Sequence, residues 1–261
     1  MNKQEIISIL NDFPYGRDEY WIITGSAMVL YGIREQTHDI DMGCTSKMAD
    51  QLEADGYSYT LTESGNRKFK ISEDIEVYEN WLMGTISRVD NVPVISIKGL
   101  VDMKQELGRD KDKKDIALIK EYMRNKIELV DNILKAEDFV RLRVATGFVE
   151  IPIEHARKAL QNGLINVSVL KDGELIGMGR LVGDGAMYWY LQEIVVLPEY
   201  QSMGIGTMIV NHLVDYAVKN SSTGKFTTIG GVSATGKEGF YRKIGFEVIP
   251  NGIRKMVEIS K

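Results

Sequence analysis

Tyr190-Leu191-Gln192-Glu193-Ile194-Val195-Val196-Leu197-Pro198-Glu199-Tyr200-Gln201-Ser202-Met203-Gly204-Ile205-Gly206-Thr207 decides the fold of this chain. An apolar strand runs into a glycine-punctuated turn and then into a helical pattern carried by Met208, Ile209, Leu213, Val214 and Ala217, which ends near Lys219 and Asn220. Without Cβ atoms at Gly204 and Gly206, backbone N–H groups approach a ligand closely. The following helix adds unsatisfied N–H groups and a positive dipole end. The turn therefore reads as an anion-binding corner of a size to take a pyrophosphate.

Gln201-x-x-Gly204-x-Gly206, directly after Val-x-Pro-Glu, resembles the acetyl-CoA pyrophosphate loop of the GNAT N-acetyltransferase superfamily. Downstream, Gly239-Phe240-Tyr241-Arg242-Lys243-Ile244-Gly245-Phe246 is similar to that family's late helix and the strand after it. Gly179-Arg180-Leu181-Val182-Gly183-Asp184 precedes the loop in the family's order, so the resemblance covers about residues 126–261. It implies an acetyl-CoA-dependent N-acetyltransferase that passes acetyl directly to an amine. Gln201, Ser202, Met203, Gly204, Ile205, Gly206 and Thr207 would hold the pyrophosphate, and backbone groups of Ile194, Val195 and Val196 the pantetheine amides. Tyr241 stands where the family places the acid that protonates the departing thiolate. Glu193, on one strand face with Leu191 and Val195, is the candidate base, with a pairing role in acceptor binding as its rival.

Length supports two domains, 1–125 and 126–261, since 261 residues exceed the usual single-domain size. Residues 1–125 hold 16 basic and 22 acidic side chains and residues 126–261 hold 16 and 15, giving −6 and +1. Neither half is a basic footprint for a nucleic-acid polymer. No run of 18 apolar residues spans a membrane, and the first ten residues lack the features of a secretion signal, so a cytoplasmic location is expected. Cys44 is the sole cysteine, and His38, His155 and His212 are too scattered for a zinc motif. The acceptor is a small-molecule or protein amine whose identity no motif fixes.

In the first half, Tyr20–Thr24 reads as a strand and Gly25-Ser26 opens a helix. His38-Asp39-Ile40-Asp41-Met42 then alternates, so both carboxylates project from one strand face, as a shared divalent cation would require. This pattern resembles the nucleotidyltransferase superfamily, especially its small stand-alone and antitoxin-like members. The resemblance implies triphosphate binding at Gly25 and Ser26, Mg²⁺ at Asp39 and Asp41, and a third acid on a later strand. Glu76 is the candidate for that acid, with Asp74 and Glu79 as rivals; the family usually has aspartate there. The helices that close this half carry charges expected on a solvated face.

The fold class expected is α/β (α+β) in two domains: a nucleotidyltransferase-like mixed sheet with helices, then a GNAT mixed sheet flanked by helices. Beside the N-acetyltransferase reading stand two alternatives. One is a bifunctional enzyme that also transfers a nucleotidyl group to a small amino compound such as an aminoglycoside. The other makes the first domain a degenerate, antitoxin-like binding or regulatory module.

Overall fold

The computed structural model describes residues 1–221 and 227–249. The chain divides into two compact units, one of Met1–Ile127 with Glu199–Gly204 and the other of Glu128–Pro198 and Ile205 onward; in sequence, Glu199–Gly204 is the turn between a strand of the second unit and its longest helix.

The first unit is a seven-stranded mixed sheet with five helices. Its elements run α1 (Lys3–Asn11), β1 (Tyr20–Ile22), α2 (Thr24–Leu30), β2 (Ile40–Cys44), α3 (Ser46–Ala54), β3 (Tyr59–Leu61), β4 (Arg67–Lys70), β5 (Ile75–Glu79), β6 (Ile86–Val89), β7 (Val92–Ile95), α4 (Ile97–Leu107) and α5 (Asp110–Asn125). The strand order is β3-β4-β5-β2-β1-β7-β6. The central strands β1 and β7 are apolar and buried along their length, as strands covered on both faces must be, and β2 is buried except at Asp41. Helix α1 begins with a capping box, in which the Asn2 side chain accepts from the Glu5 N–H and the Glu5 carboxylate accepts from the Asn2 N–H.

The second unit holds β8 (Ile127–Asp131), which starts at its boundary, α6 (Ala136–Ala145), α7 (Ile153–Gln161), β9 (Ile165–Lys171), β10 (Glu174–Gly183), β11 (Tyr188–Val196), α8 (Ile205–Asn220), β12 (Thr228–Gly231) and α9 (Glu238–Lys243). These strands form one sheet in the order β12-β11-β10-β9-β8. β9, β10 and β11 pair antiparallel in a meander, and β12 adds parallel to β11. The Lys171-Asp172-Gly173 signal makes the β9–β10 hairpin, with Asp172 and Gly173 both at positive φ as a tight turn of this hand requires. Ile205, Ile209, Leu213 and Ala217, at helical spacing, are buried on α8.

Most elements expected from the sequence are present, with boundary shifts of one or two residues. Residues 226–230 read in the sequence as a strand, and the strand begins at Thr228; Phe226 itself lies outside the described residues. The stretch after the Tyr241 helix reads in the sequence as two closing strands; residues 246–249 are described and form no strand, and the remainder lies outside the described residues.

Candidate acetyl-transfer site

The defining feature of the second unit is a break in the β10–β11 ladder. Met178 pairs with Val195 and Arg180 with Gln192, so Gly179 alone faces the two residues Glu193 and Ile194. One residue against two is a β-bulge, and Glu193 adopts the left-handed region at φ 47° to make it. Such a conformation costs a non-glycine residue about 1–2 kcal/mol and persists only where its surroundings hold it. The surroundings here are tight. A Cβ on Gly179 would lie 2.4 Å from Ile209 Cγ2 and 3.1 Å from Ile194 Cδ1, so α8 and the bulge both use the space that side chain would fill.

On its other edge β11 pairs with β12 only from Tyr188–Thr228 to Leu191–Gly231, so that the parallel pairing stops just before the bulge. β11 runs on through Ile194 and Val195 to Val196, and those are the strand positions expected to face the pantetheine chain. A strand edge released from its neighbour can pair with an extended ligand in the same manner as with another strand.

Beyond β11 the chain makes a short 3₁₀ turn over Pro198–Tyr200 and enters α8 through Gln201, Ser202, Met203 and Gly204. Ser202 at φ 68° and Gly204 at φ 88° are both left-handed. No heavy atom lies within 4 Å of a Cβ built on Gly204, so glycine is required there for its backbone conformation. Gly206 has a different reason: its Cβ would stand 3.4 Å from the Phe240 ring of α9. Met203 and Ile205 are buried and anchor the turn, while Thr207 in the first turn of α8 is half-buried. A left-handed glycine ahead of a 16-residue helix aims successive N–H groups outward, which suits a pyrophosphate. The residues present therefore fit CoA.

Glu193 is not a solitary carboxylate. Arg143 of α6 donates through Nη1 to its Oε1, and Arg180 of β10 places Nε 3.1 Å from its Oε2. The three side chains retain only 13%, 11% and 12% of their exposure, in that order: Arg143, Arg180, Glu193. The Phe139 ring lies 5.7 Å from each guanidinium, and the Phe148 ring 4.9 Å from that of Arg143. Burial, with Arg143 adding to it, pulls the Arg180 pKa below the ordinary guanidinium value despite Glu193. Both arginines were missed from the sequence, although the Gly179-Arg180 pair lay within the motif that carried the resemblance.

Tyr241 sits in α9, half-buried between Phe240 and Phe246, with ring centroids 4.9 and 5.7 Å away in edge-to-face geometry. Burial pushes its phenol pKa up.

In the first unit the residues expected at a nucleotide and metal site are placed as follows. Ser26 is fully buried; its hydroxyl donates to the Ile23 carbonyl at 2.9 Å and accepts from the Asp41 N–H at 3.3 Å, so it braces the start of α2. Gly25 is explained by packing, since a Cβ would come 3.0 Å from Thr37 Oγ1. Asp39 is exposed and lies just before β2, with Asp41 inside it. Asp41 and Glu76 are paired positions on the parallel strands β2 and β5. Each, however, is already engaged: Asp41 accepts from the Thr24 hydroxyl, and Glu76 meets Lys68 at 2.8 Å and accepts from the Tyr78 hydroxyl at 2.7 Å. Burial, then the charges of Asp39 and Glu76, raise the Asp41 pKa against the Thr24 hydrogen bond. Burial also acts upward on Glu76, but Lys68 and Tyr78 bring it below the ordinary value. Among the described residues no group of three or more His, Cys, Asp or Glu side chains is arranged to hold a metal ion. Of the rivals, Glu79 is bound by Arg67 through two side-chain hydrogen bonds and one from its backbone.

The charges of α5 also depart from expectation. Asp112 and Asp115 are buried, not solvated, and Lys104 from α4 is buried with them, 2.6 Å from Asp115. Arg34 and Arg109 complete this ion cluster. Burying the three charges of Lys104, Asp112 and Asp115 together requires pairing, which the more exposed Arg34 and Arg109 complete, and that pairing fastens α4 and α5 to the chain after α2.

Residues 132–246 match the family model described as Acetyltransferase (GNAT) family. The C-terminal half of this chain is an N-acetyltransferase domain of the GNAT family. Its relatives include the uncharacterized N-acetyltransferase ycf52 of Pyropia yezoensis, 24% identical over 51% of this chain and 79% of the relative. The GCN5-related N-acetyltransferase 1, chloroplastic, of Arabidopsis thaliana is 29% identical over 52% of this chain and 63% of the relative. A crystal structure of a probable acetyltransferase from meticillin-resistant Staphylococcus aureus aligns at 28% identity with TM-score 0.47, covering 51% of this chain and 99% of that one. Among the described residues no helix is long and apolar enough to cross a membrane.

Proposed function

We propose that the second unit transfers acetyl from acetyl-CoA directly to an amine at the Glu193 bulge, with no acetyl-enzyme intermediate. The observation that carries this reading is the end of β11–β12 pairing at Leu191–Gly231, immediately ahead of a left-handed Glu193 and on the same strand that leads into the Gly204 turn. Acetyl-CoA supplies the activated thioester. The turn from Gln201 to Thr207 holds its phosphates by backbone N–H groups, and Ile194, Val195 and Val196 offer backbone partners to its amides and a donor to the carbonyl oxygen that gains charge. The amine nitrogen forms the new C–N bond as the C–S bond breaks. Tyr241 then gives its proton to the sulfur, and the amine loses one to solvent or to a base. Burial of Tyr241 keeps the phenol protonated at neutral pH, the form an acid needs. With both Glu193 oxygens beside arginines, the carboxylate acts in positioning the acceptor.

Initial rates measured with acetyl-CoA and an amine varied together test direct transfer. Intersecting double-reciprocal lines, and an intact mass unchanged by acetyl-CoA alone, are the expected results. Parallel lines with a protein 42 Da heavier, roughly the mass of one added acetyl group, would replace this mechanism with a covalent one.

For the first unit we propose a binding module that retains a nucleotidyltransferase-like outline without its chemistry. The support is the internal engagement of Ser26, Asp41 and Glu76. Incubation of the full chain with Mg²⁺ and each of ATP, CTP, GTP and UTP, alone and with amines, should release no pyrophosphate; release with any of them would restore the catalytic reading.

A further inference from the structure

Two guanidiniums and one carboxylate meet beside the bulge, which leaves a net charge of +1 in a site largely closed to water. The hydrogen-bonding capacity is also unfilled. Among the described residues Arg143 Nε, Arg180 Nε and Arg180 Nη1 are buried donors, and Glu193 Oε2 a buried acceptor, with no hydrogen-bond partner, the 3.1 Å approach of Arg180 Nε to Glu193 Oε2 lacking hydrogen-bond geometry. A buried cationic donor left unpaired is costly, so three open donor atoms against a single open acceptor atom are the signature of a site completed by something else. Phe139 and Phe148 lie against the guanidiniums and supply no acceptor oxygen.

We infer that Arg143 and Arg180 bind a carboxylate of the acceptor, so that the amine acetylated by this domain belongs to an amino acid or a similar amino carboxylate. This rests on the acetyl-transfer reading above and specifies its substrate class. The ligand that fits is a monoanion, because one negative charge neutralises the cluster where a dianion would overshoot it. Planar guanidinium forks match a planar carboxylate bidentately. The bulge residue Glu193 is itself part of the cluster and adjoins Ile194, so the carboxylate is held within a few bonds of the reacting nitrogen. Nearby guanidinium charge also disfavours the ammonium form of that nitrogen, which helps to present it as the neutral nucleophile.

The test pairs amino carboxylates with their decarboxylated amines: phenylalanine with phenethylamine, lysine with cadaverine, β-alanine with ethylamine. Thiol release from acetyl-CoA by the full chain is followed for each, and binding of each compound to the CoA-loaded protein is measured by calorimetry. The inference expects kcat/KM about 10- to 100-fold higher for the carboxylate of at least one pair, as loss of a charge-assisted hydrogen-bond pair implies. Arg180→Gln should abolish that preference by raising KM for the amino acid while KM for acetyl-CoA is unchanged. Arg143→Lys, which keeps charge without the fork, should retain part of the preference. Equal or better turnover of the decarboxylated amines overturns the inference and leaves acetyl transfer standing. Carboxylate binding without thiol release from any compound overturns the transfer reading and keeps the anion site. A preference that survives in a folded Arg180→Gln variant overturns the assignment of these arginines.

Discussion

Gly179 stands opposite both Glu193 and Ile194, and the empty space at its Cα is filled by Ile209 of α8. One missing side chain thus serves two neighbours, letting the helix close on the sheet and the strand bulge beside it. Gly179→Ala should destabilise the protein by about 1–3 kcal/mol, the usual range for forcing extra atoms into a packed core. Chemical denaturation checks this, with Ile209→Ala as the partner substitution: the double variant should lose less than the sum of the singles. Additive losses would mean that the two residues do not compete for this space.

Gly204 offers a separation of backbone from side-chain effects. Its φ of 88° penalises any Cβ, and a branched one most. Gly204→Val should lower stability by about 1–3 kcal/mol and weaken CoA binding at least tenfold, because the N–H groups ahead of α8 lose their aim. Gly204→Asn, which tolerates the left-handed region, should retain most of both. Calorimetry with CoA on the two folded variants compares them; equal affinity in both would detach the glycine from phosphate binding.

Tyr241→Phe keeps the edge-to-face packing on Phe240 and Phe246 and removes only the phenol hydroxyl. Thiol release should fall about 10²-fold in kcat with acetyl-CoA affinity unchanged. A kcat equal to that of the parent protein would make the residue a packing element.

The C-terminal fold was legible because its signals are local. The helical spacing of Met208, Ile209, Leu213, Val214 and Ala217 predicts α8 through Asn220 almost to the residue. The bulge was not legible, since Glu193 alternates in sequence like any strand residue and its left-handed φ comes from tertiary packing with Gly179 and α8. The Arg143 partner is 50 residues away from Glu193, a contact no spacing rule reaches. In the first unit, the alternation of Asp39 and Asp41 was legible as a pattern, whereas the partners of the carboxylate oxygens were not. What decides that site is which neighbours take up the oxygens, and Thr24, Lys68 and Tyr78 do so through the fold. The run from Arg109 to Asp115 misled in the opposite sense: a charge-dense stretch reads as solvent-facing, yet Lys104 and Arg34 draw Asp112 and Asp115 into the interior.

Arg67 and Glu79 provide a pH test of the first unit. Hydrogen bonds from Arg67 hold the Glu79 pKa down to about 2. A carboxylate depressed in the folded state stabilises above its unfolded pKa of about 4.3, and the contribution is lost as pH falls toward the folded value. Arg67→Met should therefore cost on the order of 1–3 kcal/mol at neutral pH, with the gap to the parent protein narrowing between about pH 4.5 and pH 2. Thermal unfolding across that range measures the gap; a constant difference would place the effect in packing of the arginine stem.

Acetyl transfer itself is tested most directly by product stoichiometry in the full chain. Purified protein is incubated with acetyl-CoA and the panel of amines and amino carboxylates, while released thiol and N-acetyl product are quantified together, the latter by mass spectrometry. The account expects one N-acetyl product per thiol with at least one acceptor, and loss of both signals together in Tyr241→Phe. Tight acetyl-CoA binding with no thiol release from any acceptor, or thiol release without an N-acetyl product, would contradict it.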